Sequence, residues 1–142
     1  MEIRRATAAD AAVLRRFWEE SSAEIDFAPY PGAPWEDSLL REHVALLADE
    51  DGEPLGAVYA NLASEHFGYV FGLYVARPAR RRGVAGELMR AVARVLADEG
   101  RGHVVLSVDT PNEAGRALYE RLGFEEASRL LRIETRSLLT RG

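Results

Sequence analysis

From Arg77 the chain reads Arg77-Pro78-Ala79-Arg80-Arg81-Arg82-Gly83-Val84-Ala85-Gly86, four arginines without an acid followed by small residues. That composition suits an anion. Guanidinium groups make charge-assisted, often bidentate hydrogen bonds to phosphate oxygens. Gly83, Ala85 and Gly86 let a phosphate come close to the main chain. The apolar run before the arginines, ending Leu73-Tyr74-Val75, stops near a proline as a strand does. After them Val84, Leu88, Val92, Val95 and Leu96 recur at helical spacing. A loop between a strand's end and a helix's start is where main-chain N–H groups lack internal partners and where the helix dipole favours negative charge. Taken alone, the run also reads as a solvated basic loop or a nucleic-acid patch. It is not the dinucleotide fingerprint, because the first glycine of G-x-G-x-x-G is missing.

The rest of the 142 residues must hold that loop in place. No repeat, linker or low-complexity tract divides them, so one domain over residues 1–142 is expected. Apolar residues at 47% and charged residues at 29% are ordinary for a packed domain. A first strand is expected over residues 1–6. Thr7 with Asp10 forms a capping-box pattern that opens a helix carrying Ala12, Val13, Phe17 and Trp18. Prolines and a glycine break up residues 27–35, and a short second helix is expected near Trp35. Strands follow at residues 43–48 and 53–62, joined at Asp51-Gly52, and at residues 68–75. The helix from Gly83 ends at Gly100 and Gly102. Then come a strand over residues 103–108, a helix with Thr110 as capping-box residue and Pro111 at its first position, ended by Gly123, and one or two strands in residues 124–139. The expected class is α/β, a mixed sheet with helices on both faces, in the order β-α-α-β-β-β-α-β-α-β-β.

The loop has company downstream: Asn112-Glu113-Ala114-Gly115-Arg116-Ala117-Leu118-Tyr119-Glu120-Arg121-Leu122-Gly123-Phe124. With R-x-x-G-x-A at Arg80, Gly83 and Ala85, and N-x-x-A-x-x-x-Y-E-x-x-G-F here, the chain resembles the GNAT superfamily of N-acetyltransferases. Gly115 stands where that pattern has alanine. The opening Met1-Glu2-Ile3-Arg4-Arg5-Ala6-Thr7-Ala8-Ala9-Asp10 is similar to the family's first strand and helix cap, so the resemblance covers nearly the whole chain. It implies a central sheet in which the strand over residues 68–75 splays from the one over residues 103–108. The pantetheine arm of acetyl-CoA would enter that wedge beside Leu73, Tyr74 and Val75 and pair with their main chain. Its pyrophosphate would rest on the loop of Arg80, Arg81, Arg82, Gly83, Val84, Ala85 and Gly86. Asn112 would bond the pantetheine or hold the second helix against it. Tyr119 matches the family's general acid: a phenol of pKa about 10 can protonate a thiolate whose conjugate acid lies at about 8.5. By spacing alone Tyr119 reads as a core tyrosine beside Leu118 and Leu122.

No general base is legible. Ser107 stands where the N-terminal protein acetyltransferase branch often has a glutamate, and Asp109, Glu24 and Asp26 stay open. His66 lies at the strand end far from the cofactor, while His43 and His103 read as structural or surface histidines. Glu19, Glu20, Glu24, Asp26, Glu36 and Asp37 lie between Phe17 and Leu40 with no basic residue among them. The expectation is that Glu24, Asp26, Phe27, Tyr30 and Trp35 attract and cradle a cationic amine. They read equally as solvated acids and as aromatics anchoring a loop.

The function expected is direct transfer of acetyl from acetyl-CoA to an amine, a cationic small molecule or a peptide amine, in a ternary complex. The alternative is a non-catalytic acyl-CoA sensor of the same fold. The chain has no cysteine, which excludes disulfides, thiolate metal sites and a cysteinyl acetyl-enzyme. It has no lysine either, which excludes a Schiff base and a P-loop. No metal is expected. The net charge of −5, with no aromatics among the arginines, argues against nucleic acid. Apolar runs fall short of the ~20 residues that span a bilayer, and the start does not read as a signal peptide, so no membrane and a cytoplasmic location are expected. Many such domains pair through their last strands, so a homodimer is open.

Overall fold

A computed structural model describes residues 1–24 and 43–141. The helix expected near Trp35 lies outside them, as do Asp26, Phe27, Tyr30 and Trp35. The chain divides into two compact units, Met1–Val108 and Asp109–Gly142.

In the first unit β1 (Glu2–Arg5), β2 (Val44–Glu50), β3 (Glu53–Asn61), β4 (Phe67–Val75) and β5 (His103–Leu106) form one sheet in the order β1-β2-β3-β4-β5. The first four strands run antiparallel and β5 runs parallel to β4. A parallel neighbour needs a crossover, and α2 (Val84–Asp98) supplies it. The Asp51-Gly52 signal closes the β2–β3 hairpin with both residues at positive φ.

The run Val44-Ala45-Leu46-Leu47-Ala48 in β2 is wholly buried because both sheet faces are covered. On one face α1 (Ala11–Glu24) packs Leu14 and Phe17 against Ala45, Leu47, Ala57, Tyr59 and Tyr74. On the other, α2 buries Val84, Leu88, Met89, Val92 and Leu96, close to the apolar stripe the sequence spacing sets out. The α1 entrance is held by Asp10. Its carboxylate accepts from the Thr7 N–H at 2.8 Å and from both terminal nitrogens of Arg4 at 2.8 and 2.9 Å. The Arg4 hydrogen bonds hold the Asp10 carboxyl down at about 2.

The second unit departs from expectation twice. The cap of α3 (Glu113–Arg121) is Asn112, not Thr110: its Oδ1 accepts from the Gly115 N–H at 3.0 Å. In place of final strands, residues 125–134 have no regular structure and a short helix α4 (Thr135–Thr140) follows. Alternation alone does not make a strand, which exists only when its main chain is paired, and Leu130 and Leu131 here stay exposed.

Candidate active site

Two register features open β4. Ala60 pairs with Val70 but Tyr59 pairs with Gly72, so Phe71 is an extra residue, a β-bulge in β4. On the other side, β4 pairs with β5 only from Phe67↔His103 to Val70↔Leu106. Beyond that point β4 continues along β3 to Val75↔Gly56, and among the described residues no strand lies on its β5 side. The expected strand over residues 103–108 therefore ends early, at Leu106. One step past the last pair, the Tyr69 hydroxyl donates to Ser107 Oγ at 3.0 Å, pinning the two strands where they part. The result is a wedge with a free main-chain edge, as a pseudo-strand ligand requires.

At the end of that edge stands the arginine loop. A 3-10 turn, Arg77–Ala79, leads to Arg81 at φ 64° and Gly83 at φ 77°. A left-handed arginine costs about 1 kcal/mol; such strain concentrates at functional sites. Gly83 caps α2 without any side-chain hydrogen bond. Glu87 N–H donates to the Gly83 carbonyl at 3.2 Å, so the amides of Val84, Ala85 and Gly86 fall in a first turn that has no intrahelical acceptors.

The arginines divide by task. Arg80 is clamped: its terminal nitrogen donates to both Glu24 oxygens at 3.0 and 2.9 Å, and its Nε donates to the Val75 carbonyl at 2.9 Å. Arg77 Nε donates to the same Glu24 at 3.1 Å. Arg82 donates to Glu50, and that bond chiefly lowers the Glu50 pKa. Arg81 alone of the four makes no ion pair among the described residues. Glu24 is thus placed differently from the acceptor role expected of it, because a carboxylate holding two guanidiniums has little field left for a cationic amine. It ties the end of α1 to the loop. Nothing in the sequence spacing signals a pairing across more than fifty positions. Tyr74 turns its ring into the α1 core, where its hydroxyl donates to Glu20 at 2.9 Å and burial raises its pKa, so it offers only main chain to the wedge.

In the second unit α3 ends in a Schellman motif: Phe124 N–H donates to the Tyr119 carbonyl at 2.9 Å and Gly123 N–H to that of Glu120 at 3.0 Å. The Tyr119 and Phe124 rings meet edge-on at 5.6 Å, the apolar contact that goes with this motif. Burial raises the Tyr119 pKa, which keeps the phenol protonated at neutral pH. At the start of α3 a Cβ on Gly115 would fall 2.5 Å from Asn112 Nδ2, so glycine here makes room for the capping side chain.

The sequence profile of the acetyltransferase (GNAT) family matches residues 11–124. The chain belongs to that family. It is 28% identical over 138 residues to the uncharacterized N-acetyltransferase YhfO of Bacillus subtilis, covering 89% of this chain and 91% of that one. It is 32% identical over 94 residues to the N-alpha-acetyltransferase MAK3 of Arabidopsis thaliana, covering 64% of this chain and half of that relative's length. Among solved structures, the ribosomal-protein-alanine N-acetyltransferase of Brucella melitensis biovar Abortus matches with a TM-score of 0.75 at 26% identity, over 94% of this chain and 99% of that one. The protein is thus a GNAT-family N-acetyltransferase, and the family's co-substrate is acetyl-CoA. The described residues suit that ligand: a free strand edge for an amide-bearing arm, and uncapped amides with an unpaired guanidinium for phosphates. Among the described residues no cluster of His, Asp and Glu is arranged to hold a metal.

Proposed function

We propose that the chain, acting as one domain, moves acetyl from acetyl-CoA directly to a primary amine in a ternary complex. The observation that supports this most is the β4 edge, released from β5 after Val70↔Leu106 and ending at the uncapped start of α2. Leu73 and Val75 offer main-chain groups to the pantetheine, and the amides of Val84, Ala85 and Gly86, with Arg81, take the pyrophosphate. Arg80 acts through its clamp on Val75, and Arg82 together with Glu50 borders the loop. Amides near Leu73 to Val75 stabilise charge developing on the thioester oxygen. Tyr119 gives its proton to the departing thiolate, and Asn112 fixes the helix that carries it. Two of the named relatives are an N-alpha-acetyltransferase and a ribosomal-protein-alanine N-acetyltransferase, and a further relative is an aminoglycoside N(6')-acetyltransferase, which makes α-amines of proteins and aminoglycosides the acceptors to try. Tyr119→Phe is expected to lower kcat about 100-fold with acetyl-CoA affinity unchanged, measured by thiol release with kanamycin and with a peptide bearing a free N-terminal alanine. Unaltered turnover would remove Tyr119 from the mechanism.

A further inference from the structure

An alkylammonium of pKa about 10.4 has no lone pair to attack with, and three carboxylates of the first unit are already engaged: Glu20 by Tyr74, Glu24 by Arg77 and Arg80, and Glu50 by Arg82. Two buried side-chain atoms are not. His43 Nδ1 and the Tyr59 hydroxyl have no hydrogen-bond partner among the described residues, although buried polar groups in folded proteins are nearly always paired. Both rings lie against one residue, Phe71. His43 meets it edge-on at 5.5 Å and Tyr59 stacks on it at 5.9 Å. Phe71 is the bulge residue, next to the last β4–β5 pair, so the rings that carry the two unspent atoms pack on the residue after which the wedge opens. Trp18 closes the other side of Tyr59, edge-on at 5.9 Å, and Tyr59 is only 2% exposed. Aromatic faces accept a cation there, and a dry setting strengthens each hydrogen bond made to it.

Resting on the transfer proposed above, we infer that His43 is the base that takes the acceptor's proton, with the Tyr59 hydroxyl holding the same nitrogen in place beside Phe71. The ammonium gives one proton to the His43 imidazole. The freed lone pair forms the C–N bond to the thioester carbon, and the C–S electron pair leaves with sulfur. Tyr119 protonates that sulfur and regains a proton from the amide nitrogen. His43 releases the first proton to water, so one ammonium and one thioester give one amide, one thiol and one proton. His66 and His103 are exposed at the opposite end of β4 and at the start of β5, and take no part.

The test compares amines of different basicity at one pH. His43→Gln is expected to lower kcat about 100-fold for kanamycin and for the alanine-ended peptide, with the KM for acetyl-CoA unchanged. With methoxyamine, a far weaker base that is unprotonated at neutral pH, it loses less than about threefold, because no base is needed. Tyr59→Phe is expected to raise the KM for kanamycin about tenfold. Equal losses for both kinds of amine would mean that His43 only supports the fold, and would overturn the assignment. A readout that needs no variant is nitrogen NMR of the three histidines in the wild-type protein with CoA present. Adding kanamycin should shift the ring signals of His43 and leave those of His66 and His103 in place; a silent His43 would overturn the assignment even if His43→Gln failed to fold. Absence of transfer by the wild type to either amine would sink the transfer reading and this base with it.

Discussion

The helix starts of α2 and α3 solve the same problem in opposite ways. Each leaves main-chain N–H groups without intrahelical acceptors. At α3 the protein fills the gap itself, with Asn112 Oδ1 on the Gly115 N–H. At α1 it does so more heavily, through Thr7, Asp10 and Arg4. At α2 it leaves the gap open, with a left-handed glycine, a left-handed arginine before it, and no capping side chain. A start that is closed contributes stability, whereas one kept open gives up stability and keeps its donors for something that arrives from outside. Within one chain, capping chemistry therefore separates scaffold from site.

The contrast can be broken, starting with its largest effect. Gly83→Glu would put a Cβ into the left-handed region and a carboxylate where phosphate is expected, and should weaken CoA binding about 100-fold by calorimetry; unchanged affinity would mean the open start is not the donor site. Next comes acid. Asp10 titrates at about 2 in the folded chain, below its ordinary value of 3.8, so its contribution of about 2 kcal/mol is present above pH ~4 and drains away as pH falls toward 2. Thermal melts of the wild type and Asp10→Asn should converge across that window and stay apart at pH 7. Arg81→Ala should weaken CoA about tenfold, an effect that added salt diminishes, while relaxing the backbone little. The smallest change sharpens the contrast most. Asn112→Ala should lower stability by about 1 kcal/mol with CoA affinity intact; a parallel loss of affinity would move Asn112 from scaffold to site.

What could be read from the sequence follows the range of the interactions. The strand, loop and helix from Phe67 to Asp98 were legible because turn chemistry, proline and apolar period are local signals. The Asp10 cap was legible for the same reason, as a residue three positions from Thr7. Asn112 rather than Thr110 caps α3 because Gly115 clears space for its amide, a steric fact that a pattern of capping residues does not carry. The final strands failed because a strand depends on a partner and alternation says nothing of whether one is present. Long-range pairs were invisible: Glu24 looked like part of an acidic wall until Arg77 and Arg80 were found on it. His43 gave no signal at all, since a single histidine at the head of a strand is unremarkable until its ring is seen against Phe71.

The bulge at Phe71 has one more effect, on parity. Before it, Val70 pairs with Ala60 and Tyr69 with Asn61; after it, Gly72 pairs with Tyr59 and Tyr74 with Ala57. Odd-numbered residues thus share the α1 side up to Phe71 and even-numbered ones from Gly72 onward, so Tyr74 reaches Phe17 and Glu20. The extra residue sets Phe71 and Gly72 side by side on one face; without it Val70 and Gly72 would alternate plainly against Ala60 and Tyr59, the strand from Gly72 to Val75 would keep its faces, and only the local break in the ladder would close.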